Sequence, residues 1–188
     1  NNNGNISFLQ PYYTFTAYAF PDPTFNMIAP FWADVDTRVG NTVKYKVSPT
    51  RLIVTWPGVG YYNQNVSKLN TFQVVITNGN DPLIGLGNNV AFYYGDMQWT
   101  TGEALSNGGT GGFGGVPATA GINQGDGINF IQIGRFNQNN TNYGGPLSGT
   151  SGINYLDLGC YPLTAGSLTN LQPAVSGVPA NNTINIAC

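Results

Sequence analysis

Histidine is absent from this chain of 188 residues. That removes the commonest general base and the commonest metal ligand, so Ser-His-Asp and Cys-His arrangements are impossible. Charge is scarce as well: 7% of residues are charged, against about 25% in ordinary soluble domains. With six Lys and Arg, eight Asp and Glu and a net charge of −2, there is no basic footprint for nucleic acid or an anionic membrane. Glu103 is the only glutamate, and the other carboxylates are Asp22, Asp34, Asp36, Asp81, Asp96, Asp126 and Asp157. Two well-placed carboxyls suffice for sugar hydrolysis, but Glu103 borders a glycine-rich loop and no spacing singles out a partner. The expectation is a protein that is not an enzyme and needs no cofactor. No run of 18 apolar residues exists, which excludes a transmembrane helix and membrane insertion by that route. The chain opens on Asn1 rather than Met and shows no signal peptide, as expected of a processed or excised form whose leader has gone.

What the chain has instead is neutral polarity, with 25 Asn carrying the solubility that charge does not, and a periodicity of two. Val43, Tyr45 and Val47 alternate with Thr42, Lys44 and Lys46, and Leu52, Val54 and Trp56 with Ile53 and Thr55. Phe72, Val74 and Ile76 alternate with Gln73, Val75 and Thr77, and Val90, Phe92 and Tyr94 with Ala91 and Tyr93. Such β-branched and aromatic runs read as half-buried strands. Breaker clusters such as Pro21-Asp-Pro23 and Asn78-Gly-Asn-Asp-Pro82 separate them. Gly and Pro together make 38 residues, spaced so that few segments hold a helix of ten. The fold class is all-β: an antiparallel two-sheet sandwich with long Gly-rich loops and an extended C-terminal tail. Residues 103–115 form a long, flexible surface loop, since a phosphate cradle needs a following helix and usually a Lys.

Three groups of residues are candidates for a site. Asp34 and Asp36, two apart on a strand, project from one face about 7 Å apart. Two readings follow: oxygen ligands for calcium, with Asp96 or Asp126 completing the set, or a structural arrangement in which Arg38 pairs with one and loop amides satisfy the other. The second is favoured, and metal binding stays open. Trp32, Trp56 and Trp99 read as core. In the pairs Tyr12-Tyr13, Tyr61-Tyr62 and Tyr93-Tyr94, neighbouring residues face opposite sides of a strand. One Tyr of each then points outward, available to a sugar ring or a protein partner. Four Asn-x-Ser/Thr sequons begin at Asn5, Asn65, Asn139 and Asn181, in turn-like or terminal stretches that accommodate a glycan. In a eukaryotic secretory pathway at least two would carry N-linked glycans.

Three stretches are more specific than any of these patterns: Ala29-Pro-Phe-Trp-Ala-Asp-Val-Asp-Thr-Arg38, Val90-Ala-Phe-Tyr-Tyr-Gly-Asp-Met-Gln-Trp-Thr-Thr-Gly102 and Gly114-Gly-Val-Pro-Ala-Thr-Ala-Gly-Ile-Asn-Gln-Gly-Asp-Gly127. With the Phe72–Val75 strand between the first two, and Ser151-Gly-Ile-Asn-Tyr-Leu-Asp157 after the third, their content and order resemble the nidogen-like extracellular (NIDO) domain. The resemblance covers residues 6–160 and implies a secreted, extracellular or cell-surface domain used in adhesion and matrix assembly. It implies no catalysis and supplies no agreed ligand site. Residues 1–160 are the expected domain and 161–188 a tail. Cys160 and Cys188 are expected to bridge and tie that tail down; reduced thiols and an intermolecular bridge are the alternatives.

The function expected is a non-catalytic extracellular structural or adhesive building block whose partners are proteins, copies of itself among them, in a homo-oligomer or filament. The alternative is a carbohydrate-binding, lectin-like module. Low charge removes the lysines that usually guard sheet edges, and the segments Asn1–Gln10 and Leu163–Cys188 are expected to complete a neighbour's sheet by strand addition.

Overall fold

The computed structural model describes residues 1–136 and, as backbone, residues 183–186. Its strands are β1 (Ile6–Ser7), β2 (Met27–Trp32), β3 (Val35–Asp36), β4 (Lys44–Val47), β5 (Arg51–Tyr61), β6 (Asn65–Thr77), β7 (Asn88–Met97), β8 (Thr119–Asn123), β9 (Phe130–Arg135) and β10 (Thr183–Ile186). A single 3-10 turn, Pro82–Ile84, is the one helical element among the described residues. One sheet has the order β1-β2-β8-β9; the other runs β10-β7-β6-β5-β3, with β4 also on β5. This is the expected all-β sandwich. Within the stretch read as an extended strap or edge strand, β10 is an edge strand on β7; the one departure is that it pairs in parallel rather than antiparallel. The Cys160–Cys188 pair and the boundary at residue 160 lie outside the described residues.

In β5, β6 and β7 the alternation read from the sequence sets the core; β4, read as half-buried from Tyr45 and Val47, is instead exposed on both faces because nothing among the described residues packs over it. Trp56, Phe72, Val74, Val90, Phe92 and Tyr94 point from the larger sheet against Phe31, Ala120 and Phe136. Directly paired Trp56 and Phe72 stack with centroids 4.9 Å apart. Each large side chain so buried stabilises by roughly 1.5–3 kcal/mol. The intervening residues also bury: Val75 and Ala91 form a small cluster with Ile84 of the 3-10 turn on the outer face.

β2 is buried on both faces along its length. Phe31 faces the other sheet, while its neighbour Trp32 faces outward into a second core with Tyr12, Ala17, Phe20 and Met27. The strap of residues 8–25 supplies that cover. Pro30 sits where the β2–β8 register shifts, which is where a central strand tolerates a missing N–H. All three indoles are fully buried, and each N–H donates to a main-chain carbonyl: Trp32 to Thr14, Trp56 to Asn2, Trp99 to Val59.

The amino-terminal segment is not free to serve a neighbour. Asn3 and Asn5 are buried, Phe31 N donates to Gly4 O and Ala33 N to Asn3 O, and β1 pairs with β2. A β-carbon on Gly4, whose φ is +70°, would lie 1.6 Å from Phe31 O. The reason is that the inter-sheet space beside Phe31 and Trp56 needs main-chain partners for a bulged strand and a buried indole, and residues 2–5 provide them. With β10 on β7, both tails thus pair within the chain, against the expected strand donation. A second correction concerns guarded edges: Lys44 and Lys46, two of the three lysines, lie on the fully exposed outer strand β4.

Candidate functional site: the Asp34 hub and its surroundings

β3 is two residues long because the chain bends at Ala33 and Asp34 between β2 and the second sheet. That bend places Asp34 and Asp36 in different settings, although both are nearly sealed, at 6% and 5% exposure. Asp36 accepts from the Arg38 guanidinium at 2.5–3.1 Å and from the main-chain N–H of Arg38 and Gln64. Arg38 also donates to Asn63 at 2.9 Å and lies over the Tyr62 ring. The guanidinium, outweighing the effect of burial, holds the Asp36 carboxyl down to about 2. Asp34 has no such cation in contact. It accepts from Asn107 Nδ2 at 2.9 Å and from the Ala104 main chain. Burial first, and then the Asp36 charge, push it up to about 6.

The partner Asn107 comes from the glycine-rich stretch, which lies on the surface as expected, with Leu105 fully exposed, but is tied down by hydrogen bonds rather than being a mere flexible connection. Asn107 is buried, and Val116 N, Thr100 N and Thr101 N donate to carbonyls of Asn107 and Gly112. Gly112 lies against Trp99 and Tyr61, and Gly102 has the Asp34 carboxylate where a β-carbon would stand, at 2.5–2.9 Å. The glycines let the stretch lie flat over the end of the sandwich as a lid on Asp34. The Oδ1 of Asn107 is buried without a partner, next to the one carboxyl here that is raised.

The remaining carboxylates are also engaged locally. Asp22 accepts from Tyr12 and from Thr24, which hold it low despite burial. Its main chain is clamped by Asn123 of β8. Asp81 caps the 3-10 turn and pairs with Arg51 at 2.7 Å. Asp126 accepts from Ile128 N, Asn129 N and Asn129 Nδ2. Asp96 accepts from Gln98 Nε2, and Glu103 from Gly111 N at 2.6 Å. Among the described residues no three His, Cys, Asp or Glu side chains gather to hold a metal ion; Asp126 is committed to its own turn, and Asp96, near the end of β7, to Gln98.

Sequence reasoning missed Asn70. It is fully buried in the β6–β7 shift, accepting from Gln98 N and Trp99 N and donating to Trp99 O. An Asn in a run of strand residues was the available signal. The tyrosine pairs split as their periodicity demands: Tyr12, Tyr61 and Tyr94 are buried. Of their neighbours only Tyr13, 76% exposed, stands fully clear, while Tyr93 leans on the Val75 cluster. Asn5 is fully buried, because the amino-terminal segment fills the sandwich, so the folded domain has no room for a glycan there. Asn65 sits at the β5–β6 turn, partly exposed, with its Oδ1 accepting from Ser67 N and Oγ. Asn139 and Asn181 lie outside the described residues.

The three motif stretches thus meet in space as a packing and hydrogen-bonding framework: Phe31, Trp32, Asp34 and Asp36 from the first, Trp99 and Gly102 from the second, Asn123 from the third. The profile described as "NIDO: Nidogen-like domain" matches residues 1–52 and 44–154. The chain belongs to the nidogen-like domain family. This nidogen-like chain is 32% identical to alpha-tectorin of Mus musculus over 160 residues, 71% of this chain and 7% of that protein. The alpha-tectorins of Homo sapiens and Gallus gallus are 31% and 32% identical over the same shares. The chain therefore spans about 7% of the length of the curated relatives it matches. No solved structure matches. No helix among the described residues is long and apolar enough to cross a membrane.

Proposed function

We propose that this nidogen-like domain is a non-catalytic, extracellular structural module that joins an assembly through protein contacts, copies of itself included. The observation that carries the reading is its kinship, over 71% of the chain, with alpha-tectorin. The carboxylates add support: each described one accepts a hydrogen bond from the protein. Asp34 and Asp36, whose split superficially resembles an acid–base couple, are both spoken for: Asn107 covers the raised Asp34 and Arg38 clamps the lowered Asp36.

The contact surface proposed is β9 rather than the tails. It is the last strand of the smaller sheet, beside β8. It carries neither Lys nor Pro to discourage another strand, the usual devices of a protected edge. Its single charge, Arg135, is turned back onto Ala17 O, Pro117 O and Thr119 Oγ1. Glycosylation at Asn65, Asn139 and Asn181, and a Cys160–Cys188 bridge, complete the proposal. Sedimentation velocity across a concentration series, with hydrogen exchange on dilute and concentrated samples, tests it. Reversible association with new protection along 130–135 is expected; a monomer at every concentration overturns the self-assembly reading.

A further inference from the structure

A cleft of about 410 Å³ opens beside β1, lined by Asn1, Asn2, Ile6 and Ser7 and by Gln10, Pro11 and Tyr13. It lies far along the chain from the Asp34 hub residues and belongs to none of the motif stretches. Its two walls are joined by Phe8 and Leu9, and Leu9 makes the turn with φ +72°, a conformation rarely adopted by residues that carry a side chain. The Leu9 side chain is thrown outward, 97% exposed. Ser7 and Gln10, on either side of this turn, both face the cleft. Backbone held in a sparsely populated region tends to mark sites where geometry serves a ligand.

The chemistry of the lining is specific. No charged side chain contributes to it. Its polar side chains are the Ser7 hydroxyl, the Gln10 amide, the Tyr13 hydroxyl and the amides of Asn1 and Asn2. A hydroxyl both donates and accepts, and an amide presents two donors beside an acceptor, which complements a ligand whose groups are themselves hydroxyls. The ring of Tyr13 adds an amphipathic flat surface with a polar tip. Its volume falls in the range of about 300–1,000 Å³ usual for small-ligand sites, and a concave site of that size does not fit a protein edge. We infer that the cleft between Ser7 and Gln10 binds a neutral saccharide, with the Tyr13 ring as its platform and Ser7 Oγ and the Gln10 amide bonding its hydroxyls. The ligand would be uncharged, since no side chain of the lining offers a cation to a sialic acid or sulfate or a carboxylate to an amino sugar.

The test uses the full chain on an array of neutral glucose, N-acetylglucosamine, mannose and galactose oligomers beside sialylated and sulfated glycans, followed by calorimetry on the best neutral probe. Tyr13→Ala should weaken binding at least tenfold and Gln10→Ala severalfold, whereas Tyr13→Phe, which keeps the ring, should stay within about threefold. Tyr45→Ala, at an equally exposed tyrosine on β4, should change nothing. Melting temperatures should be unaltered, because Tyr13 is a surface residue. Failure to bind any neutral glycan, preference for the charged ones alone, or equal binding by Tyr13→Ala overturns the inference. So does a Tyr13→Ala change confined to sedimentation, which assigns the patch to a protein contact. None of these outcomes depends on β9, so assembly and saccharide binding stand or fall separately.

Discussion

Asp34→Asn should make this domain more stable at neutral pH and remove most of its pH dependence there. In the wild type, burial and the neighbouring Asp36 raise the Asp34 carboxyl from 3.8 to about 6, so the folded chain holds that proton more tightly than the unfolded one. The consequence has a definite sign. Below about pH 4 Asp34 is neutral in both states and costs nothing; stability then falls as pH rises to about 6 and is level beyond. At about 1.4 kcal/mol per pH unit the penalty is at most about 3 kcal/mol, and about 2 kcal/mol after allowance for solvent screening. Asp36 works in reverse: Arg38 holds it at about 2, so its contribution is complete above about pH 4 and disappears as pH falls towards 2. Asp22, which is also held low, adds to that acid limb. Stability should therefore peak near pH 4–5. The chain has no histidine, so none titrates between pH 5 and 7 to obscure the Asp34 limb. The replacement Asn keeps one acceptor for Ala104 N, and its Nδ2 meets the unpartnered Oδ1 of a flipped Asn107. For a chain of this size 2 kcal/mol corresponds to a Tm rise of about 4–8 °C, measured by calorimetry at pH 7. The variant should show little change in Tm from pH 4.5 to 7. A wild-type Tm that is flat over that range, or a variant as pH-dependent as the wild type, refutes the reasoning.

Other expectations follow from single contacts. Asp36→Ala leaves the Gln64 N–H unpaired and Arg38 without its carboxylate, and should cost about 1–3 kcal/mol at pH 7, seen in chemical denaturation. Gly4→Ala puts a methyl into Phe31 O at positive φ and should cost about 3 kcal/mol or more, with a large drop in Tm. Non-reducing peptide mapping should recover Cys160 joined to Cys188; closing about 28 residues contributes roughly 3 kcal/mol, and two alkylatable thiols in native protein would end the idea. Produced through a eukaryotic secretory route, the chain should lose mass on deglycosylation, and Ser67→Ala should remove the share carried by Asn65, while Ser7→Ala removes none.

In β5 to β7 the strand positions and the facing of their side chains were legible in the sequence because a period of two is a local property: Phe72, Val74 and Ile76 could only share a face, whereas the same pattern in β4 gave no hint that no described residue covers Tyr45 and Val47. The family was legible for a related reason, since its signature is the order of several short stretches. What those stretches accomplish was not legible. Phe31 and Trp32 look alike as buried aromatics, yet they serve two different cores, because β2 is covered by a sheet on one side and by the residue 8–25 strap on the other. Asp34 and Asp36 look alike as a strand pair, yet one is lidded and raised while the other is clamped by Arg38 and lowered. Asn107 supplies that lid from 73 positions away along the chain, beyond any local pattern. Asn5 reads as a sequon in a terminal stretch and proves to be interior, because the bulged β2 strand requires residues 2–5 as its partners. Alternation, turn chemistry and composition act between near neighbours, so the sequence by itself determined the strands, the all-β class and the absence of histidine chemistry. Burial, charge environment and the fate of each chain end depend on which distant segment arrives to fill a space or satisfy a donor, and only the tertiary structure decided those.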